Sequence, residues 1–296
     1  MKAYLQSFFE AHAYDVQDVR ELMDTYDGIQ NNAIAKGIFW TIINGYEKSK
    51  TYPLMEKMPV LEEIAHAIAG HLYTVELLFV LCLSKTMAGY MRDLNVPEEV
   101  IFATCEDFSI KLGECKDMHG VVGTECWEWY TRFFLLEIYS MGRLQFQICQ
   151  YPYEDYEKNG NVVRKGDMVL NVHIPKTGEP LDKELCLKAF DKGKRFFAEF
   201  FGLYDVPFMC SSWLLYPLNR EILPATSNIV QFMDFFDIVG QGEYNMVRNP
   251  VFAIVFTSKI TNDVSTLPQR SSLQRAYAAH LAAGGRFGYG YGVLFL

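Results

Sequence analysis

The residues that could do chemistry in this 296-residue chain gather around one segment, Val169-Leu-Asn-Val-His-Ile-Pro-Lys-Thr-Gly-Glu-Pro-Leu181. It reads as a strand, a Pro/Gly turn and the approach to a helix whose first turn lies near Asp182. Such a junction offers backbone N–H groups and a helix dipole to an anion, and Lys176, Thr177 and Gly178 would add a charge, a hydroxyl and a close approach. An ordinary β-to-α connection has the same grammar. Strand alternation sets Val172 and Ile174 on one face and His173 on the other. An imidazole there either takes a proton from a nucleophile or serves as a hydrogen-bonded structural group.

Other candidates carry weaker patterns. Cys210-Ser211-Ser212 lie in a second strand, but no Gly-x-Ser-x-Gly elbow surrounds the serines, so a serine hydrolase is a distant reading. Ser227 stands where a helix begins and suits either capping or a proton-donating role. Glu63-Ile-Ala-His66 has the Glu-x-x-His form of carboxylate-bridged metal sites, yet no second copy occurs, and no metal is expected. Gly288-Tyr-Gly-Tyr-Gly292 is followed by no helix, which excludes a dinucleotide loop. Alternation instead sets the tyrosines on one face and the glycines on the other, where another backbone or a ligand can approach.

These residues need elements to hold them. From an N-cap at Asp15, Val16, Val19, Leu22, Met23 and Tyr26 form a helical stripe, with a break expected at Gly28. Leu61, Ile64, Ile68, Leu72, Val75 and Phe79 recur at helical spacing after Pro59. A helix follows Pro97 and runs towards Met118, and Thr124 is a candidate cap for an aromatic helix that begins near Trp127. Beyond Gly142 the pattern changes to alternation at Leu144, Phe146 and Ile148, then a turn at Asn159-Gly160. Strands are expected over Met168–Ile174, Phe208–Leu215 and Val251–Phe256, helices over Leu185–Phe201 and Asn228–Val239. A Ser271/Gln274 capping box opens a last helix, and Phe287–Leu296 reads as a closing strand. The fold class is α+β: a helical domain over residues 1–119 and a mixed α/β domain over 120–296.

Composition narrows the function. A formal charge of −9 without a basic run repels polyphosphate backbones, so nucleic acid is not an expected partner. Seven scattered cysteines without a C-x-x-C pair read as reduced thiols. Gln6, Glu10 and His12 interrupt the first residues as a secretory signal would not, which points to the cytoplasm. The apolar stretch Leu72–Leu83 is short for a bilayer, so a core helix and no membrane partner are expected.

One ordered series of motifs adds what periodicity does not supply. His119-Gly120, Gly142-Arg-Leu-Gln-Phe146, His173-Ile-Pro175 with Gly178 and Pro180-Leu181, Ser212-Trp-Leu-Leu215, Leu223-Pro224 with Ser227-Asn-Ile229, and Leu267-Pro268 with Ser272-Leu-Gln-Arg275 follow one another. Together they resemble bacterial acyltransferase-domain proteins that join a helical N-acyltransferase N-terminal domain to a GNAT-like C-terminal domain. The resemblance implies acyl transfer from acyl-CoA to a small-molecule amine by direct attack, with His173 as base and Ser227 as donor to the leaving thiol. It also implies that the pantetheine lies between two splayed strands, beside Val172, Ile174, Ser211 and Trp213, and the pyrophosphate on Lys176, Thr177 and Gly178. Typical members carry a glycine-rich pyrophosphate turn, whereas Pro175 to Leu181 holds one glycine and a proline without an N–H. That departure keeps open a second reading, a non-catalytic GNAT-like module that binds a ligand or partner.

Overall fold

Helix α1 (Lys2–Ala11) precedes α2 (Val16–Asn31) in a computed structural model that describes residues 1–245 and 249–296. Asp15 caps α2 as expected, accepting from the Gln17 N–H at 2.8 Å. Gly28 does not break the helix, because burial of Leu22, Tyr26 and Ile29 along the same stripe outweighs the roughly 1 kcal/mol that an interior glycine costs. The unit continues through α3 (Ala33–Lys48), α4 (Met58–Ala67), α5 (Leu72–Asp93), α6 (Glu98–His119) and α7 (Trp127–Phe134). Helix α6 ends where Gly120 turns left-handed, with φ of +69°.

Helix α5 is the centre of this unit. Val75 and Leu77 to Leu83 are all fully buried, so the helix is apolar around its whole circumference. Its 22 residues are long and apolar enough to cross a membrane, which the shorter expected stretch was not, and 72% of its most apolar window is buried within the protein. Glu76 is buried with it, and desolvation, helped by the Glu125 charge, raises its carboxyl to about 7.

The chain changes unit between Ser140 and Met141 rather than after His119. The physical reason is α7. Its Trp127 ring lies against Phe79, its Phe133 against Phe108, and the Tyr46 hydroxyl donates to the Phe134 carbonyl at 2.8 Å. Aromatic burial ties residues 120–140 to the helices before them, although glycines punctuate the sequence at 120 and 123.

Among the described residues a six-stranded sheet runs in the order β1-β2-β5-β6-β8-β7, and all of it but the first three residues of β1 belongs to the second unit. The strands are β1 (Ile138–Met141), β2 (Leu144–Gln150), β5 (Met168–His173), β6 (Phe208–Ser212), β7 (Asp237–Glu243) and β8 (Gly288–Leu294). A separate hairpin, β3 (Tyr156–Lys158) and β4 (Asn161–Val163), turns at Asn159-Gly160, both at positive φ. Its helices are α8 (Lys183–Phe201), α9 (Asn219–Ile222), α10 (Asn228–Met233), α11 (Pro250–Phe256) and α12 (Ser272–Ala282).

Three expectations change here. Val251–Phe256 is helical, because Asn249 caps the segment and Pro250 occupies its first turn, and a short apolar run does not distinguish strand from helix. Helix α10 ends at Met233, so Val239 belongs to strand β7. Strand β6 ends at Ser212, whose hydroxyl accepts from the Leu214 N–H and starts a 3-10 turn over Trp213–Leu215. The capping box at Ser271 and Gln274 is present in both directions. Strand β8 lies between β6 and β7, and a Cβ at Gly290 would stand 2.2 Å from the Leu215 carbonyl oxygen, so backbone fills the glycine side.

Candidate functional site

The parallel pairing of β5 with β6 is brief. It joins Leu170 to Phe208 and Asn171 to Met209, then stops, while β5 continues through Val172 and His173 and β6 through Cys210 to Ser212. Beyond the last pair β6 follows β8 instead, with Ser211 opposite Tyr291 and Ser212 opposite Gly290. The two parallel strands therefore diverge at Asn171, and backbone groups on their facing edges leave the ladder. A cleft bounded by strand edges suits an extended amide-bearing chain.

The sheet has two unlike faces around this divergence. On one, Phe146, Val172 and Phe208 pack against α8, where Phe190 lies 5.8 Å from the Phe146 ring and 5.1 Å from that of Phe208. Gly193 lets the helix approach, since a Cβ there would meet the Phe146 ring at 2.8 Å. The other face is apolar at the start of β5, where Val169, Met209 and Val293 cluster with Tyr151 and Val163. It turns polar where β5 ends. Register aligns Gln145 with His173 and Gln147 with Asn171, so four polar side chains share that end. The Tyr153 and Tyr291 rings stack beside them with centroids 3.7 Å apart, and Tyr153 hydrogen-bonds with Ser211.

His173 is half-buried in this polar patch. Its Nε2 lies 3.0 Å from Gln147 Oε1 and 3.2 Å from Asn171 Nδ2. Sequence reasoning singled out the histidine but gave no role to either amide, because Gln147 becomes a neighbour only through strand register.

The turn after β5 is organised from outside itself. Arg143, in the β1–β2 connection, is 7% exposed, and it donates from Nε to the Pro180 carbonyl at 3.1 Å and from a terminal nitrogen to the Pro175 carbonyl at 3.0 Å. Burial lowers the guanidinium pKa, against the opposing pull of Cys186 and Glu179. One side chain thus clamps both ends of the turn. Within it, the Thr177 N–H donates to the Pro175 carbonyl and the Glu179 N–H to Thr177 Oγ1 at 3.2 Å. Gly178 takes φ of +84°, and Lys176, Thr177 and Gly178 are exposed. At the head of α8, Asp182 accepts from the N–H groups of Glu184 and Leu185, so a carboxylate already occupies donors that an anion would use. Arg143 was legible only as part of the Gly142-Arg motif, with nothing to assign its partners.

The remaining candidates separate. Val172 is buried towards α8, and Ile174 is half-buried. Trp213 sits in the 3-10 turn with its ring edge-on to Tyr277, 6.0 Å away. Ser227 caps α10, its Oγ accepting from the Val230 N–H at 3.2 Å. Just after that helix the Phe235 and Phe236 rings lie against Phe190 of α8, on the sheet face opposite His173. Ser211 is exposed on the polar face, and Cys210 is fully buried, which drives its thiol pKa upward. Among the described residues no group of three or more His, Cys, Asp or Glu is arranged to hold a metal ion.

The comparisons agree with this geometry. Residues 138–294 match the GNAT-like C-terminal domain and residues 3–136 the N-acyltransferase N-terminal domain. No curated protein matches the chain. Similar solved structures include an acyltransferase in complex with decanoyl-CoA, at a TM-score of 0.76, and a mutant acyltransferase in complex with octanoyl-CoA, also at 0.76. Another is an acyltransferase in complex with CoA and 10C-teicoplanin, at 0.74. Each is 20% identical over 98% of this chain and 87% of the other. The sheet that diverges at Asn171, and the residues 138–294 that build it, make this chain a member of the GNAT-like C-terminal domain family.

Proposed function

We propose that this protein moves an acyl group from acyl-CoA to an amine on a small molecule. The observation that carries the reading is the divergence of β5 from β6 with His173 at its mouth. The structurally similar acyltransferases hold octanoyl-CoA, decanoyl-CoA and a teicoplanin, which favours medium-length acyl chains and a polar acceptor.

The residues present fit an acyl-CoA unevenly. The strand edges at Val172, Ile174 and Ser211 suit the pantetheine amides, with Trp213 beyond β6, and Lys176, Thr177 and Gly178 offer the turn that would receive the pyrophosphate. Acyl-CoA supplies an activated thioester carbonyl. The amine nitrogen attacks that carbon, the C–N bond forms, the C–S bond breaks, and coenzyme A departs as a thiolate that takes up a proton. His173 removes the proton that the attacking nitrogen must lose. The polar sheet end at Gln145, Gln147 and Ser211 gives the acceptor hydrogen-bonding partners.

Calorimetric titration with coenzyme A, octanoyl-CoA and decanoyl-CoA, then thiol release in the presence of an amine panel, tests the reading. We expect saturable binding and amine-dependent release. Absence of binding at millimolar ligand refutes it. One feature supports a non-catalytic module instead: Asp182 caps α8 where an anion would sit, with the exposed acid Glu179 nearby. Tight acyl-CoA binding without turnover on any amine, unchanged in His173→Ala, would favour that module. The seven free thiols suit the reducing cytoplasm as the working compartment, with no nucleic acid or membrane as partner.

A further inference from the structure

Gly28 stands in the middle of α2 without a steric reason to be glycine. A Cβ built there would meet nothing closer than Ile68, at 3.8 Å, so a larger residue fits and would raise the helix propensity. What it would fill is an open cavity of 370 Å³ within the helical unit, between one face of α2, the link from α4 to α5 and the start of α5. Small-molecule sites usually measure about 300–1,000 Å³. The cavity wall carries charges and donors that the chain leaves unused. Arg20 and Asp24 both line it from α2, four residues apart, yet neither makes an ion pair or a hydrogen bond among the described residues. Asp191 and Arg195, at the same spacing in α8 but in the reverse order, do pair. His71 also lines the cavity. It caps α5 by accepting the Tyr73 N–H on Nδ1 at 3.1 Å, which in a neutral ring leaves the proton on Nε2, and that second nitrogen has no partner among the described residues. Thr74 is the one buried residue of the lining, 1% exposed, and its Oγ1 has no hydrogen-bond partner. Thr41 and Thr104 satisfy theirs on the carbonyl four residues back, each at 2.7 Å, but that position from Thr74 is Gly70, which precedes α5. A buried hydroxyl without a partner is costly, and a ligand that supplies one removes that cost.

We propose that this cavity is a binding site for a zwitterion, a free α-amino acid with a polar side chain. The proposal stands apart from acyl transfer, since every residue of the lining lies in the helical unit. Opposite charges held close together but unpaired match a ligand that carries its own two charges on one carbon. The Arg20 guanidinium takes the α-carboxylate with a pair of parallel N–H donors, and the Asp24 carboxylate, with Glu21 beside it, takes the α-ammonium. His71 and Thr74 leave hydrogen-bonding groups for the side chain. A simple anion would leave both carboxylates unmet and bring its charge against them, and a simple amine would leave Arg20 unmet. Glycine at 28 keeps the room that the ligand needs.

The test is calorimetric titration of the full chain with L-serine and L-glutamine, and with two analogues that each lack one charge: L-glutaminamide, without the carboxylate, and N-acetyl-L-glutamine, without the ammonium. We expect saturable binding of at least one of the two amino acids, and of L-glutamine at least tenfold more tightly than of either analogue. Arg20→Gln and Asp24→Asn should each weaken binding of the amino acid by about tenfold or more. Both side chains are exposed, so these variants read binding without loss of the fold. Gly28→Leu should abolish binding and raise the urea midpoint, because the side chain fills the cavity and the helix loses a glycine. No binding of either amino acid at about 10 mM, binding of L-glutamine no tighter than that of an analogue, or an affinity unmoved in Arg20→Gln and Asp24→Asn overturns the proposal.

Discussion

Replacing Arg143 by methionine isolates what a single buried cation does for the turn that follows β5. Methionine retains much of the stem volume but removes both donors, to the Pro175 and Pro180 carbonyls at 3.0 and 3.1 Å. Hydrogen bonds from a charged donor contribute roughly 1.5–3 kcal/mol each. Pro180 is exposed and Pro175 half-buried, so water can replace part of each bond, and the native protein no longer bears the cost of desolvating the guanidinium. These offsets leave a loss of about 2 kcal/mol, borne chiefly by the turn because the sheet beneath it keeps its own ladder. A 2 kcal/mol change alters the ratio of closed to open turn about thirtyfold. If coenzyme A binds only the closed turn, its Kd should rise by a comparable factor wherever the open form comes to dominate. Lysine, with one compact ammonium, cannot span two carbonyls as a guanidinium does, so Arg143→Lys should recover part of the affinity at most. Amide exchange across residues 175–182, paired with coenzyme A titration, measures both effects. Unchanged exchange protection and unchanged affinity in Arg143→Met would refute the clamp.

Three further outcomes follow from the geometry. Glu76 has a folded-state carboxyl raised to about 7, so its protonated form stabilises the fold below its ordinary value of 4.5 and that contribution is lost as pH rises towards 7. Glu76→Gln should therefore match the native protein near pH 4.5 and exceed it by up to about 3 kcal/mol above pH 7 in urea unfolding, and a pH-independent difference would count against the buried carboxyl. Gly193→Ala gains helix propensity of about 1 kcal/mol but drives a Cβ to 2.8 Å from the Phe146 ring, where overpacking costs roughly 1–3 kcal/mol, so the urea midpoint should fall with a net loss of up to about 2 kcal/mol. A rise would mean that α8 can retreat freely from β2. Ser227→Ala should cost about 1 kcal/mol through the lost cap of α10, and Ser227→Asp, which can also cap, should restore both stability and acyl transfer. Transfer lost equally in both variants would instead give the hydroxyl a chemical role.

Much of this architecture is local and therefore legible in the chain. Asp15, the Ser271/Gln274 box and the Asn159-Gly160 turn work as their side-chain chemistry requires, because caps and tight turns involve residues two to four apart. The alternation at Leu144, Phe146 and Ile148 marked β2, and the position of His173 on the face away from Val172 followed from a period of two. Val251–Phe256 as an apolar run satisfies either geometry, and the Asn249 cap, Pro250 and its packing against neighbours together make it a helix. Only tertiary structure places residues 120–140, which glycines mark as a boundary but aromatic packing assigns to the helices before them. The site shows the division most sharply. A histidine, a turn and two strands can be found in the sequence one at a time. The divergence at Asn171, the insertion of β8 beside β6, the amides around Nε2 and the reach of Arg143 across 32 and 37 residues all depend on long-range pairing, whose register no local pattern encodes.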